Sequence, residues 1–314
     1  MDVSVCITAY NLEKYIQECL ESVLNQDFNG TYEIVICDDN SSDNTAAIIQ
    51  HIILSHPKGS IINYMKNNPN LGYVKNTLVT FERAKGKYIA VLDGDDYFID
   101  MLKLQKQFDF LETHQDFTAA GGDSLVIYDS IDHLPSHTFS NHLDRELSKD
   151  ELTDLKICQT STLFFKKDIL KEDFPTEINS ADRCLYLLAG CFGKMKILPD
   201  VLCSYRQYPT SHSKSQKHET LARDFMIIPF IKKYNPRYKT SSLKRYFYYT
   251  TMTYPSVQTK WQFYKSALGY FYYNMMEKIS KNPKRIYGDV KWTLKTILEK
   301  LDIKKQNTGF LTEK

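Results

Sequence analysis

The chain has 314 residues, of which 42% are hydrophobic and 25% are charged, and these are ordinary proportions for a soluble globular protein. No apolar stretch reaches about 18 residues, so the composition excludes a membrane-spanning helix and leaves room for one large domain or one domain with an appendage. The net charge of +2 hides an asymmetry, because residues 214–314 hold 21 Lys+Arg against 7 Asp+Glu, whereas residues 1–213 hold 19 against 31.

The first hundred residues predict four strands that alternate with amphipathic helices. Their pattern indicates strands at 3–8, 33–37, 60–64 and 88–92 and helices at 12–24, 46–54 and 78–84, with Asn11 capping the first helix and Ser41 or Ser42 the second. This alternation is typical of a parallel, doubly wound sheet. Right-handed crossovers then bring all the strand carboxyl ends to one edge.

After residue 100 the pattern becomes less regular. It predicts helices at 101–114 and 180–191 and strands at 125–128, 161–165 and 196–205. From Lys214 the chain is basic, rich in tyrosine and nearly free of glycine, and we predict that it is helical.

The cysteines and the N-terminus indicate a reducing compartment. None of the seven cysteines forms a Cys-x-x-Cys pair, and several, such as Cys6 and Cys37, lie in apolar runs. We therefore expect core thiols rather than a disulfide framework or a thiolate metal site. Because the chain enters a strand without a basic leader, we expect a cytoplasmic protein that can rest on the inner face of the membrane.

Polar side chains follow each of the four predicted strands. They form the segments Thr8-Ala9-Tyr10-Asn11, Asp38-Asp39-Asn40-Ser41, Asn70-Leu71-Gly72 with Lys75-Asn76, and Asp93-Gly94-Asp95-Asp96. Ligands of open α/β sheets bind beyond the carboxyl ends of the strands, so these segments are expected to converge on one crevice.

The acids after the fourth strand indicate a metal-assisted site for a phosphate-bearing ligand. Three carboxylates within four residues repel one another, and a hard divalent cation with oxygen ligands offsets that repulsion. The alternative is a solvated Gly-Asp turn. In the first interpretation Asp93 holds a ribose hydroxyl, and Asp95 with Mg²⁺ or Mn²⁺ bridges a diphosphate. Asp39 is placed to accept from a base imide N–H, and Tyr10 to stack on a base.

In this order and spacing, the chain resembles the inverting nucleotide-sugar glycosyltransferases of family 2. The resemblance covers about residues 1–210. Besides the strand-end segments, it rests on Val3-Ser4-Val5-Cys6-Ile7, Ser22-Val23-Leu24-Asn25-Gln26, Glu33-Ile34-Val35-Ile36-Cys37, Ser42-Asp43-Asn44-Thr45 and Ala84-Lys85-Gly86-Lys87-Tyr88-Ile89. It implies that Thr8, Ala9, Tyr10 and Asp39 hold the nucleoside.

The resemblance also implies a metal site and a phosphate contact. Asp93-Gly94-Asp95 matches the family's DxD motif, with Asp95 as the principal ligand of Mn²⁺ or Mg²⁺. The family often has an Arg-Asn pair where this chain has Lys75-Asn76. Lysine keeps the charge but loses the bidentate fork for diphosphate.

The fold that the resemblance implies is the α/β GT-A (Rossmann-like) fold, with a mixed, mainly parallel sheet and flanking helices. Residues 1–213 form this domain, with a nucleotide-binding half at 1–100 and an acceptor-binding half at 101–213. Residues 214–314 form a basic, tyrosine-rich and mainly helical C-terminal extension.

Inversion requires a base beside the acceptor hydroxyl. The family takes it from an acid that opens a helix in the second half, and Asp182 matches best. Asp173 and Glu177 are its rivals, and Asp123 is a candidate for acceptor or sugar contact. Alternatively, Asp182 only stabilises the N-terminus of a helix that Ser180 caps.

Basic and aromatic residues of the second half suggest contacts with phosphate. Arg206 is a phosphate candidate because a guanidinium binds two oxygens at once. The family often has His where this chain has Tyr208, and His212 is either a substitute for it or a surface residue. The mixture of rings and cations in 214–314 suits either a helical subdomain with a tyrosine-rich core or an anionic membrane surface. No RNA-binding motif accompanies it, so nucleic acid is not expected.

Together these features predict a metal-dependent inverting glycosyltransferase, of hexosyl or N-acetylhexosaminyl type. Its donor is a nucleotide-sugar, by preference a UDP-sugar, and its acceptor a glycan or lipid-linked glycan in bacterial polysaccharide, capsule or lipopolysaccharide synthesis. One alternative is a nucleotidyltransferase, which the absence of glycine from Thr8–Leu12 disfavours. The other is an inactive nucleotide-sugar-binding scaffold, which the intact acids disfavour. The pattern leaves open the sugar, the linkage and the oligomeric state.

Overall fold

The computed structural model describes residues 1–129, 137–140, 142–153, 157–208, 216–281 and 295. The chain divides into two units, one of Met1–Ser211 with Pro229–Pro236 and one of His212–Ile228 with Arg237–Lys314. The boundary predicted at 213 and 214 lies outside the described residues, as does His212.

A mixed, mainly parallel sheet forms the centre of the first unit and confirms the predicted fold class. Its strands are β1 (Val3–Ala9), β2 (Tyr32–Asp38), β3 (Ile62–Lys66), β4 (Tyr88–Asp93), β5 (Phe117–Tyr128), β6 (His137–Thr138), β7 (Arg145–Leu147), β8 (Phe164–Lys166) and β9 (Lys194–Gln207). Their order is β3-β2-β1-β4-β8-β5-β9-β7, with β6 paired to β5. The strands β1 to β4 are mutually parallel, and β8 runs antiparallel to both β4 and β5.

Helices cover this sheet and bury their apolar faces on it. They are α1 (Ile16–Leu24), α2 (Thr45–Ser55), α3 (Tyr73–Arg83), α4 (Lys103–Thr113) and α5 (Ala181–Phe192). The helix α3 packs on β1 and β2, whereas α4 and α5 pack on β5. The core contains strand residues with no exposure, such as Val5, Ile7, Ile34 and Ile36, as expected for parallel strands covered on both faces.

The predicted helix caps are wrong. Asn11 has a φ of 54° and lies well before the first residue of α1, and its side chain accepts a hydrogen bond of 2.9 Å from the N–H of Ser42. The N–H of Asn11 in turn donates to Ser41 Oγ at 2.9 Å. These side chains are therefore used to join the ends of β1 and β2 instead of capping helices. Ser180 also makes no side-chain cap to α5.

The strand predicted at 161–165 is shorter than expected. Residues Thr160–Thr162 form a 3₁₀ turn, and β8 begins only at Phe164. Hydrogen bonds of Ser161 account for the turn, because its Oγ donates to Asp96 at 2.8 Å and accepts from the N–H of Asp93 at 3.1 Å. These bonds attach the turn to the acids at the end of β4.

The second unit is mainly helical over its described residues, as predicted. It contains α6 (His218–Ala222), the start of α7 (Ile227–Tyr234), α8 (Thr240–Thr253) and α9 (Lys260–Lys281). The helices α8 and α9 pack on each other through a core that includes Met252, Phe263, Ala267 and Tyr270. No helix among the described residues is long and apolar enough to cross a membrane.

Candidate active site

The carboxyl ends of β1, β2 and β4 lie side by side. In the strand register Thr8 is paired with Asp93, and Ala9 is paired with Asp38. The segments that follow these strands therefore begin at one edge of the sheet, as the sequence predicted. Thr8 Oγ1 lies 3.4 Å from Asp93 Oδ1 and donates to it.

Asp39 is the anchor of the loop between β3 and α3. Its Oδ1 accepts from Asn67 Nδ2 at 2.9 Å and from the N–H of Leu71 at 2.8 Å, and its Oδ2 accepts from the N–H of Gly72 at 2.8 Å. Gly72 has a φ of 82°, in the left-handed region that glycine adopts without a penalty. Three donors thus fix a nearly fully buried carboxylate beside this loop.

The two residues of the Lys75-Asn76 pair have different surroundings. Asn76 is buried, donates to the carbonyl of Cys37 at 2.9 Å and accepts from Asn67 Nδ2 at 2.8 Å. Its amide therefore supports the loop and β2. Lys75 is half exposed and its Nζ lies 3.1 Å from Glu177 Oε1.

The residues at the carboxyl end of β1 and directly after it differ in their exposure to solvent. Tyr10 is 53% exposed, so its ring is open to a stacking partner. Ala9 is buried, and its carbonyl accepts from the N–H of Asp39 at 2.7 Å. Gly94 packs so closely that a Cβ atom there would lie 2.8 Å from the carbonyl oxygen of Thr8, which explains glycine between the acids.

Asp93 has a strongly perturbed carboxyl group. Burial raises its pKa to about 7, with further increases from the negative charges of Asp95 and Asp182. Hydrogen bonds from Thr8 and Tyr73 oppose this rise. The effect of Asp182 shows that the first turn of α5, far along the chain, brings its acid close to the acids of β4.

Tyr73 lies beside these acids, and sequence reasoning missed it because its place after Gly72 is the only signal for it. Burial raises the pKa of its hydroxyl well above the ordinary value, and the charges of four carboxylates raise it further. These belong to Asp93, Asp182, Asp95 and Asp96, in order of effect. The charges of the acid cluster and of the predicted base Asp182 therefore both raise the pKa of the Tyr73 hydroxyl.

Asp95 and Asp96 have different partners. Asp95 Oδ2 accepts from the hydroxyl of Tyr208 at 2.9 Å. Asp96 is buried and accepts from Gln159 Nε2 at 3.0 Å, from Ser161 Oγ at 2.8 Å and from the N–H of Arg206 at 2.7 Å. Asp96 therefore ties β4 to β9 and is the structural member of the cluster.

The guanidinium of Arg206 makes contacts on several sides. Its Nε donates to the carbonyl of Asp95 at 2.9 Å, its Nη2 to Glu18 at 2.6 Å, and its Nη1 lies 3.6 Å from Asp129. The guanidinium also lies 4.7 Å from the ring centre of Tyr15. A diphosphate contact would have to replace Glu18, so the predicted phosphate role of Arg206 stays a prediction.

The rivals of Asp182 are engaged elsewhere. Asp173 forms an ion pair of 2.5 Å with Lys233, which lowers the pKa of Asp173, and Glu177 pairs with Lys75. Asp123 is buried in β5, and its Oδ1 accepts from the N–H groups of Ser124, Phe139 and Ser140 at 2.8 to 2.9 Å.

The acids fit a divalent cation only as a partial ligand set. The described residues contain no group of three or more His, Cys, Asp or Glu side chains that could hold a metal ion. Asp93 and Asp95 are two carboxylates that repel each other, and Mg²⁺ is commonly held by one or two carboxylates together with substrate phosphates.

The mixed, mainly parallel sheet of the first unit is GT-A-like, and the comparisons with known proteins agree with this fold. The profile described as "Glycosyl transferase family 2" matches residues 4–174. The chain therefore belongs to glycosyl transferase family 2.

Two curated relatives and one solved structure illustrate the similarity. An uncharacterised protein of Mycobacterium bovis is 29% identical over 209 residues, which cover 66% of this chain and 59% of that protein. The Escherichia coli UDP-Glc:alpha-D-GlcNAc-diphosphoundecaprenol beta-1,3-glucosyltransferase WfaP is 41% identical over 115 residues, 37% of this chain and 43% of WfaP. S. aureus TarS 1-349 in complex with UDP-GlcNAc has a TM-score of 0.65 at 20% identity, covering 87% of this chain and 81% of that one. The likeness to TarS concerns the fold.

Proposed function

We propose that this chain transfers a sugar from a UDP-sugar to a hydroxyl group of a glycan or lipid-linked glycan, with inversion at the anomeric carbon. The observation that carries the proposal is the meeting of the carboxyl ends of β1, β2 and β4 at one edge of the sheet, where Thr8 is paired with Asp93 and Ala9 with Asp38. The charge of Asp182 also raises the pKa of Asp93, which supports a place for this carboxylate beside the acids that follow β4. A general base and a diphosphate-binding end are then available in one crevice.

In this reaction the bond between the anomeric carbon and the diphosphate oxygen breaks as the acceptor oxygen attacks from the opposite face. Asp182 takes the proton that the acceptor hydroxyl loses. The diphosphate leaves with the electron pair of the broken bond. One displacement without a covalent intermediate accounts for inversion and requires only this one base.

The nucleoside is held by the ends of β1 and β2. The exposed ring of Tyr10 stacks on the base, while Thr8 and Ala9 line the floor. Asp39 keeps the segment Asn70-Leu71-Gly72 in place and still has one lone pair on Oδ2 for the imide N–H of uracil. Lys75 lies at the start of α3, three residues after Gly72, and its half-exposed side chain is available to the diphosphate. Asn76 supports the loop between β3 and α3.

Asp95 and Asp93 would hold the metal, which we propose to be Mn²⁺ or Mg²⁺. When bound, it offsets the negative charge that develops on the departing diphosphate. The repulsion between these two partly buried carboxylates supports this proposal, because a cation removes the cost of keeping both ionised.

The setting that we propose is bacterial surface-polysaccharide synthesis in the cytoplasm, at the inner face of the membrane. The name of the relative WfaP gives a UDP-sugar donor and a lipid-diphosphate acceptor, and TarS was solved with UDP-GlcNAc. The named donors of these proteins support our proposal that the transferred sugar is a hexose or an N-acetylhexosamine. The matched residues span 59% of the Mycobacterium bovis relative and 43% of WfaP, so the substrates of such relatives support the proposal only by class.

A panel of nucleotide-sugars with Mn²⁺ tests the proposal by the release of UDP, GDP or CMP. We expect slow hydrolysis of one UDP-sugar without acceptor, and its loss in Asp95→Ala. Release of pyrophosphate from a nucleoside triphosphate and a sugar phosphate would instead identify a nucleotidyltransferase. UDP binding without turnover of any donor, with or without glycan acceptors, would identify a scaffold.

A further inference from the structure

One side of α9 consists almost entirely of large exposed apolar side chains. They are Trp261 (74% exposed), Tyr264 (36%), Leu268 (68%), Tyr272 (57%) and Met276 (50%), and we call them the α9 apolar face. Their separations of three and then four residues place them within an arc of about 120° on a helix of 3.6 residues per turn. Only Lys260 and Lys265 are also exposed among the α9 residues with described side chains.

The opposite side of α9 packs in the hydrophobic core of the second unit. Phe263, Ala267 and Tyr270 are buried together with Met252 of α8. The helix is therefore anchored without the α9 apolar face, which adds nothing to the described core of its own unit. A contiguous exposed apolar patch of this kind marks an interaction surface.

We propose that the α9 apolar face lies in the headgroup region of an anionic phospholipid bilayer. Tryptophan and tyrosine favour that depth, and leucine and methionine reach the upper acyl chains. Lys265 lies inside the same arc, where it meets lipid phosphate. Residues 214–314 hold 21 basic against 7 acidic side chains, which adds attraction to an anionic surface.

The charge pattern favours a bilayer over a second copy of the chain. A symmetric pair of α9 faces would bring each Lys265 towards the same basic surface of its partner, and like charges repel. The one acidic residue of α9, Glu277, forms an ion pair of 2.7 Å with Arg245. It is therefore engaged within its own unit.

This inference deepens the membrane part of the proposed function. It rests on the proposed function in one respect only, namely that membrane binding brings the enzyme to a lipid-linked acceptor. Its test measures binding without donor or acceptor, so either proposal can fail alone. The full chain is floated with vesicles of phosphatidylcholine, with and without about 30 mol% phosphatidylglycerol. We expect binding to the anionic vesicles that weakens as salt is added.

The decisive variant is the pair Trp261→Ser and Leu268→Ser, which alters only exposed side chains. We expect its partition into anionic vesicles to fall by about tenfold or more, with an unchanged melting temperature. Leu54→Ser is the matched control, because Leu54 is 87% exposed on α2 in the other unit. Equal partition of the pair variant and the wild type would overturn the proposal.

Fluorescence gives an independent measurement. The chain has two tryptophans, so a Trp292→Phe background leaves Trp261 as the only reporter. Its emission is expected to shift to the blue with anionic vesicles and to be quenched by brominated lipid. No shift would contradict insertion. A dimer that the pair variant converts to a monomer, with no vesicle binding, would assign the face to self-association instead.

Discussion

Tyr208 and Asp95 are joined by a hydrogen bond of 2.9 Å, in which the phenol donates to Oδ2 of the carboxylate. Burial raises the pKa of Asp95, and this hydrogen bond is the largest effect that opposes the rise. The ring of Tyr208 lies 5.5 Å from that of Tyr15, which fixes its position. Tyr208 therefore orients the carboxylate proposed as the principal metal ligand and favours its ionised form.

Tyr208→Phe is expected to weaken Mn²⁺ binding in the presence of UDP by about tenfold to a hundredfold, as the loss of a ligand's outer hydrogen bond usually does. Titration of Mn²⁺ followed by electron paramagnetic resonance measures this directly. Tyr88→Phe is the matched control, since its hydroxyl bonds to Glu112 at the other end of β4. An unchanged Mn²⁺ affinity in Tyr208→Phe would show that Asp95 needs no such support.

Asp182→Asn is expected to lower kcat by about a hundredfold to ten-thousandfold, because an amide accepts no proton from the acceptor hydroxyl. The KM for the donor should change little, since Asp93 and Asp95 remain. Steady-state release of UDP with acceptor present measures both constants. Asp173→Asn is the control, because Asp173 is paired with Lys233 and should keep turnover within about twofold. The reverse result would make Asp173 the base.

The sheet and the edge that carries the acids could be predicted from the sequence because they depend on local signals. Apolar runs such as Tyr88–Leu92 and the helical spacing in 16–24 are periodic patterns, and the crossover rule then fixes the edge. The convergence of the ends of β1, β2 and β4 followed from topology alone, as the registers of Ala9 with Asp38 and of Thr8 with Asp93 confirm.

The partners within the site could not be predicted, because they depend on side chains that meet only in the folded chain. Asn11 and Ser41 looked like helix caps, but they bond to each other across two loops. Arg206 looked free for phosphate, but it donates a hydrogen bond to Glu18 of α1, which lies 188 residues earlier in the chain. Local patterns contain no information about which residue at a great separation along the chain supplies the partner.

Asp39→Asn is expected to destabilise the first unit by about 1–3 kcal/mol, because an amide nitrogen would replace one of the oxygens that accept from Leu71, Gly72 and Asn67. The loosened loop should also raise the Kd for UDP by about tenfold. Urea unfolding and calorimetric titration with UDP measure the two effects.

Asp43→Asn separates these two effects of Asp39. Asp43 also accepts from Thr45 and from the N–H of Glu13, but it lies at the start of α2. We expect a loss of stability without a change in the Kd for UDP. Equal changes of Kd in both variants would mean that UDP affinity follows general stability and not the Asp39 loop.

Lys103 is predicted to make stability rise with pH in the alkaline range. It is fully buried, its Nζ donates to Gln107 Oε1 at 2.8 Å, and burial lowers its pKa to about 8. Below pH 8 the lysine is charged in the folded and in the unfolded chain, so folding bears the full cost of the buried charge. Between pH 8 and the ordinary lysine pKa of about 10.4, the folded chain releases the proton first. The free energy of unfolding then gains about 3 kcal/mol from this residue.

Lys103→Met removes that gain, and urea unfolding between pH 7 and pH 10 measures it. The difference between wild type and variant is the quantity to follow, because the buried thiols lower stability with rising pH in both chains. Lys106→Met is the control, since Lys106 forms partly exposed ion pairs with Asp100 and Asp200 and should keep the wild-type slope between pH 7 and pH 10. Parallel stability curves for wild type and Lys103→Met would show that Lys103 folds with an ordinary pKa.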